Sequence, residues 1–224
     1  MASSPELSAA VNELLSDTSV HMRMAPPRKA TAADTARAAD IVKKARAALA
    51  PYKDVKAAEK DGYVEFMPWI PDQSIYHYNS IPNVFATISG FDVTKPVSLL
   101  YRKDAKGERV LVGAMYAAQP GATADDLDAR LPLGIAHWHE HVNFCGPKLE
   151  AIQAGTEKVD AASTAKWLGI TTRVDCDAAG GRFVPRLFGW MAHVYLFGDS
   201  PAEIWGGDDR DHMHMHPTAK PPAG

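Results

Sequence analysis

The chain has 224 residues, 46% of them hydrophobic, which is enough to bury the core of one domain with appended segments. Its 24 basic and 27 acidic side chains give a formal net charge of -3 with no basic stripe or block, and this argues against nucleic acid as a partner. No apolar run approaches the roughly 20 residues that cross a bilayer, so we predict no transmembrane segment.

The first 62 residues are predicted to be helical. A short amphipathic stretch ends near residue 15, and a longer helix is expected to run from Thr31 to about Ala50. Thr31, followed three residues later by Asp34, has the pattern of a capping box. A last short helix is expected from Asp54 to Gly62. The residue pattern of this region indicates that its helices serve packing, and the region carries no chemical motif.

From residue 63 the sequence changes to short segments rich in β-branched and aromatic residues, bounded by Pro, Asn, Asp and Gly. Capped helical turns are expected near Thr123, Asp175 and Ser200. The strands are not separated by regularly spaced helices, so we expect an α+β fold: a mainly antiparallel β-sheet or a small β-barrel, preceded by N-terminal helices. The predicted strands are 63–67, 74–80, 97–103, 109–117 and 188–197, together with a histidine-rich segment.

That histidine-rich segment is G-I-A-H-W-H-E-H-V-N-F-C at residues 134–145. On a strand, alternation points His137, His139 and His141 to one face and Trp138 to the other. Residues i and i+2 are about 6.6 Å apart, so two neighbouring imidazoles can share a metal ion, whereas three span about 13 Å. We therefore predict that His139 and His141 are ligands and that His137 is the spare residue.

Two further histidines, His77 and His193, lie in the predicted strands 74–80 and 188–197. His193 is the polar side chain in the middle of the apolar strand 188–197, where it needs a hydrogen bond or a metal. Met191 shares its face and could be a weak axial ligand, although a buried methionine usually serves packing. For each histidine, the alternative is a hydrogen-bonded core residue. The predicted metal ligands are His77, His139, His141 and His193.

Imidazole and thioether groups alternate in D-H-M-H-M-H-P at residues 211–217, and H-M-R-M at residues 21–24 is similar. This donor set suits copper, so copper is the expected ion and zinc the alternative. The tail could instead be an engineered affinity segment or a solvated low-complexity end. The possible secondary metal ligands are His137, His212, His214 and His216.

Cys145 and Cys176 are the two cysteines of the chain. We predict that they form a disulfide, which would close a loop of about 30 residues and contribute roughly 3–4 kcal/mol. The alternatives are two free thiols, or Cys145 as a thiolate ligand beside the histidines. The disulfide and the copper-type tail together favour a periplasmic or secreted location. The N-terminus does not have the pattern of a signal peptide, so an export signal would belong to a precursor.

Five segments together resemble a group of uncharacterised exported bacterial proteins, over most of residues 20–205. The resemblance implies an export signal on the precursor and the same motif histidines, His77, His139, His141 and His193, but no activity. The segments are F-G-W-M-A-H-V-Y at 188–195, A-H-W-H-E-H-V-N at 136–143, L-D-A-R-L-P at 127–132, L-V-G-A-M-Y at 111–116 and A-A-G-G-R-F at 178–183.

The arrangement of the predicted ligands also resembles that of cupins. Cupins are small β-barrels that hold a metal with a His-x-His pair, a glutamate a few residues later and a distal histidine. His139, His141 and His193 match this arrangement. The glutamate does not, because the nearest acid after His141 is Glu150, and the glycine framework of cupins is missing. The similarity is an analogy of architecture.

The expected function is that of an extracytoplasmic metal-binding protein with a mononuclear histidine site for copper, either redox-active as in oxidoreductases or used in copper handling. One alternative is a zinc-dependent hydrolase with Glu140 or another acid as base, although strand parity points Glu140 away from the histidines. The other is a non-catalytic binding or structural domain. The predicted organisation is a helical segment at 1–62, a β-rich metal-binding domain at 63–207 and a flexible His/Met-rich tail at 208–224.

Overall fold

The structure, a computed structural model, describes residues 4–14 and 19–206. The predicted secondary ligands His212, His214 and His216 lie outside these residues. Within them, no helix is both long enough and apolar enough to cross a membrane.

The strands of the described residues form one seven-stranded antiparallel sheet with the order β1-β6-β7-β5-β4-β3-β2. The α+β class and the antiparallel sheet are therefore confirmed. The β-barrel is wrong, because β1 and β2 remain as separate edges and the sheet stays open. The strands are β1 (Met22–Met24), β2 (Val64–Glu65), β3 (Tyr76–Asn79), β4 (Ser98–Lys103), β5 (Arg109–Ala118), β6 (His139–Gly146) and β7 (Arg182–Val194).

Helices both precede the sheet and connect its strands. The capping box between Thr31 and Asp34 is present, and Thr123 and Ser200 accept the backbone hydrogen bonds expected of N-caps. The helices are α1 (Ser4–Leu14), α2 (Ala32–Leu49), continued by a 3-10 turn (Ala50–Lys53), α3 (Val55–Lys60), α4 (Ile81–Ser89), α5 (Ala124–Arg130), α6 (Leu149–Gln153), α7 (Ala161–Trp167), α8 (Arg173–Ala178) and α9 (Pro201–Trp205).

Strand β1, helix α4 and strand β7 differ from the sequence prediction, which placed the last strand at 188–197 and not at Arg182–Val194. Residues 22–24 lie in the region that was expected to be helical, yet they form β1 and pair with β6. Helix α4 was not predicted, although Ser80 caps it by accepting a hydrogen bond from the backbone of Asn83 and Pro82 lies in its first turn.

The two faces of the sheet have different surroundings. One face packs on α2, whose Ile41, Val42 and Leu49 join the same buried cluster as Tyr101 and Trp190 of the sheet. Burial of this apolar surface is the main source of stability for the fold. The opposite face carries a smaller apolar cluster around Ile75, Leu100 and Tyr195. The histidines predicted as ligands lie on this second face.

Cys145 of β6 and Cys176 of α8 form a disulfide across 31 residues, with their Cα atoms 5.6 Å apart. The predicted disulfide is confirmed. The two alternatives, free thiols and a Cys145 metal ligand, are therefore wrong because both sulfur atoms are used in the bond. Gly181 borders the bridge, and a Cβ atom there would lie 2.6 Å from the Cys145 sulfur.

Candidate metal centre

The predicted ligands come from three strands but share one face of the sheet. His77 lies on β3, His193 on β7, and His139 and His141 on β6. Directly paired residues of antiparallel strands point to the same side. His77 pairs with Leu100 of β4, which places it on the face that carries the smaller apolar cluster.

The four imidazole rings form a continuous row. The ring centres are 5.1 Å apart for His77 and His193, 5.2 Å for His193 and His139, and 5.3 Å for His139 and His141. The Nε2 atoms of His77 and His193 are 3.2 Å apart, which is hydrogen-bonding distance. The structure thus brings together the histidines that the sequence selected.

The contact between His77 and His193 requires the sheet to curve towards this face. Strands β4 and β5 lie between β3 and β7, and three strand spacings amount to about 14 Å in a flat sheet. A second contact crosses the same gap, because the rings of Phe66, which follows β2, and Phe188 on β7 are 6.2 Å apart. The histidine face is therefore concave.

The histidines differ in their exposure to solvent. His139 and His193 are buried, whereas His77 and His141 are half-buried. The row thus runs from one partly accessible ring, through two enclosed rings, to another partly accessible ring. An ion could reach the buried pair from either end of the row.

His137 and Glu140 lie away from the row. His137 precedes β6 and is exposed, whereas the four rings of the row are buried or half-buried. Glu140 is fully buried on the opposite side of the sheet, where it forms ion pairs with Arg23 and Arg186. The position of Glu140 agrees with the strand parity and excludes it as a base acting on this face.

An irregularity in β7 lies beside the row. His139 pairs with Met191 and His141 with Leu187, so β7 has more residues than β6 between these two points. Phe188 lies in this bulge with a positive φ of 65°, a backbone conformation that is a genuine outlier for a bulky residue. Such strain concentrates at functional sites. Gly189, next to Phe188, was the residue in the sequence that indicated a bulge, but the prediction placed both residues in a regular strand.

Two tyrosines on the helix side of the sheet have raised pKa values. Burial raises the pKa of Tyr78 and of Tyr101, whose rings pack edge to face on the helix side of the sheet. These phenols stay neutral at physiological pH. On the histidine side, Arg102 lies over the Tyr195 ring at 5.6 Å and brings a positive charge to this face.

The row is not a formed coordination sphere. In the part of the chain that the structure describes, no group of three or more His, Cys, Asp or Glu side chains could hold a metal ion as arranged. Comparisons with family models, curated proteins and solved structures give no match. The likeness to exported bacterial proteins and the cupin analogy thus stay predictions, and the function has to be argued from the row itself.

Proposed function

We propose that this protein binds a transition metal ion, most readily copper, through the imidazoles of the concave face. The observation that carries the proposal is the row formed by His77, His193, His139 and His141. The function is extracytoplasmic copper binding, used in copper handling or in redox chemistry. The disulfide agrees with an oxidising compartment.

The distance between His77 and His193 suits two ligands of one metal ion. Two nitrogens bound to one ion at about 2.0–2.1 Å and a tetrahedral angle lie about 3.3–3.4 Å apart, and their ring centres lie roughly 5 Å apart. The observed values are 3.2 Å between the Nε2 atoms and 5.1 Å between the ring centres. An ion can thus replace the contact between the two imidazoles without moving their strands.

A third ligand has to come from β6. The ring centre of His139 is 5.2 Å from that of His193, so the spacing suits a shared ion. The rings of His139 and His193 meet at 74°, and no three such side chains of the described residues could hold an ion as arranged, so we expect rotation about the side-chain torsions of His139 to complete the site. His141 follows His139 in the row and is the next candidate.

Copper is favoured over zinc by the other donors of the chain. Histidine and methionine alternate at residues 212–216, and thioether sulfur binds copper but is not used in zinc sites. A zinc hydrolase would need a base near the ion, and Glu140 is held by Arg23 and Arg186 on the opposite side of the sheet.

The test is copper loading of the full chain with the tail histidines replaced, so that only the body can bind. After dialysis we expect stoichiometric copper and a copper(II) electron paramagnetic resonance signal from nitrogen ligands. In that background, His193→Gln should lose the bound copper, whereas His137→Gln, at an exposed position outside the row, should keep it. The tail changes are His212→Gln, His214→Gln and His216→Gln.

Circular dichroism and thermal unfolding should show that the His193→Gln variant is folded. If the protein with the altered tail retains no stoichiometric copper, the proposal is wrong. It is also wrong if His193→Gln and His137→Gln retain copper equally.

A further inference from the structure

Methionines lie directly opposite the histidines in the pairing of the sheet. His139 has Met24 of β1 as its partner on one side and Met191 of β7 on the other. Met22 is the partner of His141. Because paired residues of antiparallel strands point to the same side, these sulfur atoms belong to the concave face.

The four methionines of this face have different neighbours. A fourth methionine on this face, Met115, is the partner of His193 and packs against the Ile75, Leu100 and Tyr195 cluster. The described clusters do not include Met22, Met24 or Met191, although Met191 is only 4% exposed.

The short strand β1 is held in a way that directs its methionines to the histidines. Arg23 lies between Met22 and Met24 and therefore points to the other side, where it pairs with Glu140 and lies over the Trp190 ring at 5.2 Å. The backbone of Ala25 donates to the Trp138 carbonyl at 2.8 Å, which extends the pairing.

We propose that His139, Met24 and Met191 form a methionine-rich site for cuprous ions at the β1 edge of the sheet. Thioether sulfur is a soft ligand that selects copper(I), whereas imidazole also suits copper(II). The row thus has two parts: an all-nitrogen pair, His77 with His193, and a mixed nitrogen and sulfur part around His139. Met24 is 37% exposed, so the soft part is open to solvent.

This inference rests on the proposed function, because it assigns an oxidation state to part of the same row. We infer that the protein is a carrier that accepts cuprous ions at the accessible β1 edge of the sheet. The exposed thioether of Met24 is the first donor that an incoming ion meets, and the buried Met191 and His139 complete the site behind it.

The test uses the full chain with the tail histidines changed to Gln, as above, and with Met213→Leu and Met215→Leu, so that the tail supplies no sulfur. Copper(I) affinity is measured by competition with a chromophoric copper(I) chelator, using a reductant that leaves the disulfide intact. The Met24→Leu, Met191→Leu double variant keeps the side-chain volume. We expect its copper(I) affinity to fall roughly 10–100-fold, the usual range for disturbing a metal site, while copper(II) affinity changes less than about threefold.

Met67→Leu is the matched control, because its side chain packs in a separate apolar cluster, and the copper(I) affinity of this variant should stay unchanged. X-ray absorption of the copper(I) protein should show sulfur, and the double variant should lose it. If copper(II) binds through the histidines but copper(I) has only nitrogen ligands, this inference is wrong. The proposed function then still stands. Failure to bind copper in either oxidation state overturns both.

Discussion

The substitution Glu140→Gln tests the ion-pair network on the face of the sheet opposite the histidine row. The expected loss in the free energy of unfolding follows from the burial of Glu140 and the exposure of its two partners. The Glu140 side chain has 0% exposure, and it pairs with Arg23 and, at 3.1 Å, with Arg186. Glutamine keeps the shape but removes the charge from both pairs. Breaking a buried pair costs about 3–5 kcal/mol. The two arginine side chains remain 49% and 34% exposed and can regain water, so we expect a loss of about 2–3 kcal/mol in the free energy of unfolding.

Urea denaturation followed by tryptophan fluorescence measures this loss, because Trp190 packs against Arg23. The matched control is Asp40→Asn, which removes an exposed helical ion pair with Lys44 at 2.7 Å. Such pairs contribute about 0.3–0.5 kcal/mol. A loss for Glu140→Gln no larger than that for Asp40→Asn would refute the reasoning, because it would mean that the buried carboxylate contributes no more than a surface charge.

Three further changes test other parts of the structure. Cys145→Ser with Cys176→Ser should lower the free energy of unfolding by about 3–4 kcal/mol in urea denaturation, and a loss below about 1 kcal/mol would contradict the loop-entropy argument. Gly113→Ala should cost about 3 kcal/mol in the same assay, since its Cβ would lie 2.2 Å from the Val194 carbonyl oxygen, and an unchanged midpoint would refute this. Burial raises the pKa of Tyr116 above its ordinary value of 10.0, so the unfolded state loses this proton first and stability should fall as the pH rises above about 10. The fall should be smaller in Tyr116→Phe when unfolding is followed by circular dichroism, and an equal fall would show that this phenol does not contribute.

Local features of the fold could be predicted because their causes lie within a few residues. The hydrogen bonds between Thr31 and Asp34 span one helical turn, so the capping box is visible in the sequence. The alternation of His139 and His141 likewise predicts a shared strand face. The sequence also indicated the disulfide partners, since the chain offers only Cys145 and Cys176.

The remaining features depend on distant contacts. The barrel prediction failed because closure requires the two edge strands to meet, and no local pattern shows that β1 and β2 stay apart. Strand β1 was missed because three residues are too few for a periodic pattern. The contact between His77 and His193 joins residues 116 positions apart, across the strands β4 and β5, which carry neither residue.

Gly113, on the intermediate strand β5, allows that curvature. The missing side chain of Gly113 lets the end of β7 approach so closely that a Cβ atom would lie 2.9 Å from the Tyr195 Cα. Gly113 pairs with Leu100, which in turn pairs with His77, so the approach occurs on the histidine face between the strands that carry His77 and His193. Any side chain at this position would push β7 away from β5 and would carry His193 away from His77. The spacing of the candidate ligands is therefore set partly by a residue that has no donor atom in its side chain.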